Sequence, residues 1–587
     1  MTEFRTLVDM LEQSTRRYAD HPCLGTKSDG EWSFIRYVDL AARVGRLRGG
    51  LRSLGIGPGD RVAVISDNRE EWAVLSGATY GVGAQLVPMY QAQLPKEWAF
   101  ILRDSGAKAV FTASRGISLI LRSLSAELPE LEHVVCFEGG STDADSYARL
   151  LQHEVSPAFE PQSTDVAAFI YTSGTTGMPK GVLLTHDNII SNINAVHRVF
   201  TFEPHDRSLS FLPWAHSFGQ VGELYMLLSM GCSIAINDDL PKLVDNMLEV
   251  HPTVLFAVPR VFNKLYAAVH HQMEDKPAFV RHLFEDGVEL ATEKAHGEHL
   301  DLGERAELLL SDKLVFARVR QKFGGKLKYA ISASAALNPK VAEFVQALGI
   351  TVFEGYGLTE TSPVVSVNRP GFNKIGSVGQ PIPGVRVVID RSVTGGDDDG
   401  EIVVYGPNVM RGYHGRAAET ARVLMPDGGF RTGDLGYLDE DGFLYITGRI
   451  KEQYKLENGK YVMPAPLEEA LKLSPAITNV MIYGDNRPFN VAVVVPDVQA
   501  LEHLAKEARL TLGPDLSVCP ATQRLLEQEI ERYSADFRSF ERPRALCVVK
   551  EDFSPENGLL TPTLKLKRQL AVQRFMPQIE ALYTNVV

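Results

Sequence analysis

Between residues 61 and 111, short apolar runs alternate with stretches of helical spacing. Val62 to Ile65, Gln85 to Met89 and Ala109 to Phe111 read as strands, with Glu70 to Ser76 and Lys96 to Ser105 as the helices between them. That order is βαβαβ, and it predicts a layered α/β architecture. The alternation returns from Leu209 to Val258, and again where Leu327 to Ile331 precedes Asn338 to Leu348 and Thr351 to Phe353. From about residue 384 the texture changes to short strands (Val385 to Ile389, Gly400 to Tyr405, Gly436 to Leu438, Phe443 to Ile446), with acidic turns at Asp397 to Gly400 and Asp439 to Gly442. These predict a small β-rich subdomain whose acidic turns are solvated, since neither has calcium-loop spacing. After Arg449 strands and helices alternate once more, so a boundary is expected near residue 450. The expected fold is therefore α/β with mixed α+β parts: a large domain over 1–449 and a small, mobile α+β domain over 450–587.

At 587 residues, 44% hydrophobic and 23% charged, the chain is large enough for more than one core. Its net charge of −13 argues against a general nucleic-acid surface, which needs clustered cations. The five cysteines are scattered, without a C-x-x-C pair, so a reducing, cytoplasmic setting is expected. The N-terminus runs straight into a helical pattern carrying Leu7, Met10 and Leu11, which does not read as a signal peptide. The apolar stretch Leu224 to Ile236 is shorter than the roughly 18 residues that span a bilayer, so membrane contact would be peripheral. Oligomeric state is left open.

Chemistry concentrates first in Tyr171-Thr172-Ser173-Gly174-Thr175-Thr176-Gly177-Met178-Pro179-Lys180-Gly181, which follows the apolar run Val166 to Ile170. Backbone N–H groups freed by glycine, hydroxyls and a lysine can wrap phosphate oxygens. It is not a Walker A loop, because Gly181 follows Lys180 and the spacing differs. Taken alone it could also be a structural turn, the less favoured of the two readings. Further along come Leu212-Pro213-Trp214-Ala215-His216-Ser217-Phe218-Gly219, Glu354-Gly355-Tyr356-Gly357-Leu358-Thr359-Glu360-Thr361, Arg431-Thr432-Gly433-Asp434-Leu435-Gly436, Gly448-Arg449-Ile450-Lys451, and Leu559-Leu560-Thr561-Pro562-Thr563-Leu564-Lys565-Leu566-Lys567. Singly, Glu360 reads as a helix cap, Asp434 as an Asx turn and Lys565 as part of a solvated basic run, Tyr356 reads as well as a core aromatic as it does as a stacking ring, and a buried structural histidine is a competing reading of His216.

Together and in this order the segments resemble the adenylate-forming superfamily of acyl-CoA synthetases, firefly-type luciferases and peptide-synthetase adenylation domains. The resemblance implies ATP binding by Thr172, Ser173, Gly174, Thr175, Thr176, Gly177, Lys180, Tyr356, Gly357, Thr359, Asp434 and Arg449, with Tyr356 stacking on adenine and Asp434 accepting ribose hydroxyls. It implies Mg²⁺ at Thr176 and Glu360, and Lys565 as the catalytic lysine bridging the acyl carboxylate and the α-phosphate. His216 would stand near the acyl carboxylate and gate the thioester step. Lys451 would be the hinge, and the Lys455–Gly459 loop would enter the site after rotation. Lys567 and Arg568 read as surface cations.

The resemblance also bears on substrates. Gly219 stands where amino-acid-activating relatives carry an anchoring aspartate, and Gly357 where acetate-type relatives carry a tryptophan, which implies an open acyl tunnel. The run Lys455 to Glu468 is most similar to long-chain fatty acyl-CoA synthetases. Small-molecule partners are therefore expected: a long-chain fatty acid, ATP and coenzyme A. A fatty acyl-AMP ligase loading a carrier protein and a luciferase-like oxygenase share these motifs. One departure stands out: Ser332-Ala333-Ser334-Ala335-Ala336 replaces the usual Ser-Gly-Gly-Ala, so Ala333 and Ser334 add Cβ atoms in a segment that the resemblance places at adenine and, through Ser334 and Ala335, at the acyl pocket wall.

Overall fold

The computed structural model describes residues 3–172, 179–274, 276–394, 399–561 and 565–584. Two large sheets dominate. The first has seven strands, ordered Gly412–Tyr413, Lys180–Thr185, Val166–Thr172, Gln85–Met89, Arg61–Ile65, Ala109–Thr112 and His133–Cys136. The second has nine, running Gln380–Pro381, Val364–Val367, Thr351–Gly357, Tyr329–Ser332, Val254–Ala257, Arg207–Ser210, Ser233–Ile236, Pro22–Ser28 and Glu31–Arg36. Arg61–Ile65 pairs in parallel with both Gln85–Met89 and Ala109–Thr112, as the βαβαβ pattern requires.

Strand periodicity distributes each apolar run between two cores. Val62 and Val64 face a core shared by both sheets, while Ala63 and Ile65 face an outer core with Trp98, Ile101 and Ile117. In the second sheet Val254 and Phe256 join the shared core, and Leu255 and Ala257 join an outer one with Phe262, Phe316 and Phe344. Trp72, Leu47 and Leu224 lie in the helical layer between the sheets. The continuously apolar strands are thus buried on both faces.

The β-rich region is a four-stranded antiparallel sheet, Arg386–Asp390, Gly400–Tyr405, Phe430–Leu438 and Leu444–Arg449. Residues 395–398, half of the first acidic turn, lie outside the described residues. The second acidic turn is not merely solvated: Lys374 pairs with Asp439 at 2.7 Å and with Asp441 at 2.6 Å. Beyond it, Ile477–Tyr483, Asn490–Pro496 and Pro543–Val548 form a three-stranded sheet. One face, with Val480, Ile482 and Val494, packs on helices Pro464–Leu471 and Pro520–Tyr533; the other, with Met481 and Val493, packs on Arg568–Thr584. Leu473 reaches into the outer core of the nine-stranded sheet, and Lys340 pairs with Asp536 at 2.7 Å. This region is thereby docked against the large body.

Candidate active site

The sheet register brings opposite charges together. Asp434 and Arg449 are directly opposed across two antiparallel strands, and Arg449 Nε lies 2.6 Å from Asp434 Oδ1. The other carboxylate oxygen accepts a 2.7 Å hydrogen bond from the Tyr356 hydroxyl. Asp434 is only 2% exposed. Its charge raises the pKa of Arg449, while burial, then Asp434, holds Tyr356 well above the usual phenol range. Tyr356 thus remains a donor, and the pair fixes a buried carboxylate whose remaining lone pairs can accept hydroxyls.

Lys565 joins this corner. Its side chain keeps access to solvent, but surrounding protein desolvates the ammonium, and this, with the charge of Arg449, lowers its pKa; Asp434, Glu452 and Glu360 oppose the shift. The described arrangement therefore gathers Lys565, Arg449, Asp434 and Glu360 at one place.

A second corner forms around Tyr413, a residue that no motif announced. Its hydroxyl donates to Glu360 Oε1 at 2.9 Å, and Lys180 Nζ lies 5.4 Å from its ring centroid. Lys180 also pairs with Glu419. Tyr413 arrives through a two-residue strand opposite Val182, so only the folded sheet reveals it. Thr172 and Lys180 are cross-strand partners and close the two ends of the glycine-rich loop. Ser173, Gly174, Thr175, Thr176 and Gly177 lie outside the described residues. Thr359 is buried, with its hydroxyl 3.2 Å from that of Ser217, which brings the Glu360 segment against the His216 segment.

His216 lies in irregular chain between strand Arg207–Ser210 and a π-helix, Phe218–Tyr225. Phe218 N donates to its Nδ1 at 3.2 Å, which places the proton of a neutral ring on Nε2. Burial first, then the charge of Lys565, pushes its pKa down to about 3. It is thus an uncharged donor near neutral pH.

Three positions take a different meaning in the fold. At Gly357 an added Cβ would lie 1.8 Å from the Pro363 carbonyl oxygen, so the hairpin with Val364–Val367 itself requires glycine there. That backbone approach accounts for the glycine without reference to an acyl chain. Ser334 adopts φ +76°, the left-handed conformation usual for glycine, and Ala335 beside it is exposed. Arg568, expected as a surface cation, instead forms a two-pronged pair with Glu468 at 2.6 and 2.7 Å and donates to the Ile482 carbonyl. It anchors the start of the last helix, close in sequence to Lys565. Lys567 is half-buried, and its N–H donates to the Leu559 carbonyl.

Lys451 is exposed just after Arg449. Lys455 and Gly459 occupy a small exposed hairpin in which Gly459 has φ +85° and Lys455 Nζ lies 5.3 Å from the Tyr461 ring centroid.

Comparison with known proteins bears on this geometry. The AMP-binding enzyme family matches residues 11–414, and the AMP-binding enzyme C-terminal domain matches 451–587. Long-chain-fatty-acid–CoA ligase FadD15 of Mycobacterium bovis is 33% identical over 95% of this chain and 93% of its own length. Long chain acyl-CoA synthetase 7, peroxisomal, of Arabidopsis thaliana is 31% identical over 100% of this chain and 87% of its own. In three dimensions the adenylation domain of a carboxylate reductase from Mycobacterium chelonae superposes with a TM-score of 0.81 at 23% identity, covering 99% of this chain and 91% of that one. ATP-bound MatB from Rhodopseudomonas palustris gives 0.72 at 24% identity, covering 97% and 99%. The chain belongs to the AMP-binding enzyme family.

Proposed function

We propose that this chain converts a long-chain fatty acid, ATP and coenzyme A into acyl-CoA, AMP and pyrophosphate through an acyl-adenylate. The observation that carries the reading is the gathering of Lys565 with Asp434, Arg449 and Glu360, beside the full-length likeness to long-chain-fatty-acid–CoA ligases.

In the first half-reaction a carboxylate oxygen of the acid attacks the α-phosphorus of ATP, and the bond to pyrophosphate breaks. Lys565, cationic in a partly desolvated corner, offsets the negative charge that grows on the α-phosphate oxygens. Asp434 accepts ribose hydroxyls while Tyr356 and Arg449 hold it still. Lys180, with the loop it closes, holds the phosphates. Glu360, a half-buried hard-oxygen donor with a single phenol bonded at Oε1, fits Mg²⁺, which binds few carboxylates and otherwise takes phosphate and water; Thr176 would complete the protein's share. Bound there, the cation neutralises phosphate charge. The neutral His216 donates from Nε2 toward the acyl carboxyl.

In the second half-reaction the thiol sulfur of coenzyme A attacks the acyl carbonyl and AMP leaves. For this step the domain from residue 450 onward turns about Lys451, withdrawing Lys565 and bringing in the Lys455–Gly459 hairpin. Ser334 and Ala335 border adenine and the acyl wall. Each methylene buried beyond them contributes about 0.8 kcal/mol, enough to select long chains. Among the described residues no helix is long and apolar enough to cross a membrane, and we place the enzyme in the cytoplasm with at most peripheral membrane contact.

The test is AMP release from purified protein with acetate, octanoate and palmitate, each with and without coenzyme A. Coenzyme-A-dependent turnover favouring palmitate is expected. Adenylate accumulation indifferent to coenzyme A would point to a carrier-protein acceptor, and a preference for acetate would overturn the long-chain assignment.

A further inference from the structure

Glu223 is fully buried on the π-helix, and among the described residues no lysine or arginine pairs with it. Its two carboxylate oxygens accept from Ser208 Oγ and Ser210 Oγ, both at 2.6 Å. Those serines end the strand that enters the His216 segment, and Glu223 lies on the helix that leaves it. The carboxylate therefore cross-links the two ends of that irregular chain. From Ser210 the network continues inward. Its Oγ accepts from Trp214 Nε1 at 3.1 Å and from Asn68 Nδ2 at 3.2 Å, while Asn68 also bonds the Leu212 carbonyl at 2.8 Å and the Trp214 N–H at 2.8 Å. The bonds to Leu212 and Trp214 bear on residues within four of His216, whose ring is then oriented by Phe218 N.

We propose that Glu223, acting through Ser208, Ser210, Trp214 and Asn68, is a positioning residue for His216. A carboxylate is suited to this because one side chain accepts two strong hydroxyl bonds from alternate strand positions, which an apolar residue cannot do. Burial raises its pKa to about 7, the serine hydroxyls opposing. The π-helical winding that starts directly after Ser217 brings Glu223 back over the strand, and such windings recur beside functional groups.

The inference rests on the role given above to His216, and a double-mutant cycle separates the two. Adenylate formation and thioester formation from preformed acyl-AMP are measured for Glu223→Gln, His216→Ala and the double variant. Glu223→Gln should lower kcat about tenfold in the half-reaction that His216→Ala impairs, with KM for ATP unchanged, and the double variant should be no slower than His216→Ala alone. Multiplying effects, a wild-type kcat in Glu223→Gln, or a change confined to KM for the acid would overturn it. If His216→Ala leaves both half-reactions at wild-type rates, the role of His216 falls and this inference with it. Should Glu223→Gln fail to fold, Ser210→Ala, which removes one arm of the same network, takes its place in the cycle with the same outcomes.

Discussion

Tyr356, Asp434 and Arg449 stand on strands, and their contacts follow from sheet register. His216 stands on irregular chain whose shape comes from side chains beneath it. On the side proposed for the nucleotide a buried carboxylate is matched by a guanidinium and a phenol hydroxyl. On the side proposed for the acyl group the buried carboxyl, Glu223, has neutral hydroxyl partners among the described residues, and the His216 ring is neutral too. Under the function proposed above, charge is thus concentrated where phosphate charge would change, and withheld where an uncharged donor would face the acyl group. The difference teaches that short motifs read in their order suffice to specify the first side, because its residues are fixed by the strands that carry them. The second depends on residues far along the chain, such as Asn68.

The sharpest way to break this comparison is at Lys565, which the C-terminal region brings to the side proposed for the nucleotide. Lys565→Ala should lower adenylate formation from free acid and ATP by two orders of magnitude or more, and leave thioester formation from preformed acyl-AMP near the wild-type rate. Pyrophosphate release and single-turnover thioester assays on the same preparation decide it. Equal losses in both would mean that the lysine serves the fold or both steps.

Next in size is the anchor of the segment that carries that lysine. Arg568 and Glu468 are mostly buried, so removing one partner strands the other's charge, at about 3–5 kcal/mol. Glu468→Gln should lower the denaturant midpoint strongly, and Arg568→Met/Glu468→Leu together should recover much of the loss. A single-variant loss below about 1 kcal/mol would show that water reaches the pair.

These residues mark what was readable beforehand. Strands such as Gln85–Met89 and Gly400–Tyr405 match the apolar pattern to the residue, because a run buried on both faces is unambiguous once turn signals bound it. Asp434, Lys565 and Glu360 were readable as a group only through their order along the chain. Arg568 was misread because a basic run looks solvated, and its partner lies 100 positions upstream. Tyr413 had no local signal. Glu223 did have one, a lone acid among Phe218, Val221, Leu224 and Tyr225, which is costly unless it is bonded. Gly357 was read for the space it leaves, whereas the fold shows a backbone approach that sequence spacing does not encode.

A third measurement sharpens the contrast between the two carboxyls. Glu223 has a folded pKa near 7 against an ordinary 4.5, so its neutral form is favoured by folding. The stabilisation is fully present below about pH 4.5 and is lost as pH rises through 7, with an upper size of roughly 3 kcal/mol. Wild-type stability should therefore fall more between pH 5 and pH 8 than that of Glu223→Gln, as read from denaturant midpoints at both values. Parallel pH profiles would mean that Glu223 is charged throughout.

The smallest effect is expected at Ser334, just beyond strand Tyr329–Ser332. At φ +76° its Cβ crowds the backbone, a cost of about 1 kcal/mol for an L-residue. Ser334→Gly removes that crowding but gives the unfolded chain more freedom, which costs about 0.4–1 kcal/mol in the opposite direction. The two terms nearly cancel, so stability should stay within about 1 kcal/mol of wild type. Ser334→Val keeps the crowding and adds a second branch at Cβ, which the left-handed region accommodates poorly, so it should lose about 1–3 kcal/mol. Urea titrations of the three proteins at one pH supply the comparison. A loss above about 2 kcal/mol in Ser334→Gly would mean that the serine side chain stabilises this turn by contacts of its own. Equal stabilities of the glycine and valine variants would mean that the turn relaxes out of the left-handed region in solution.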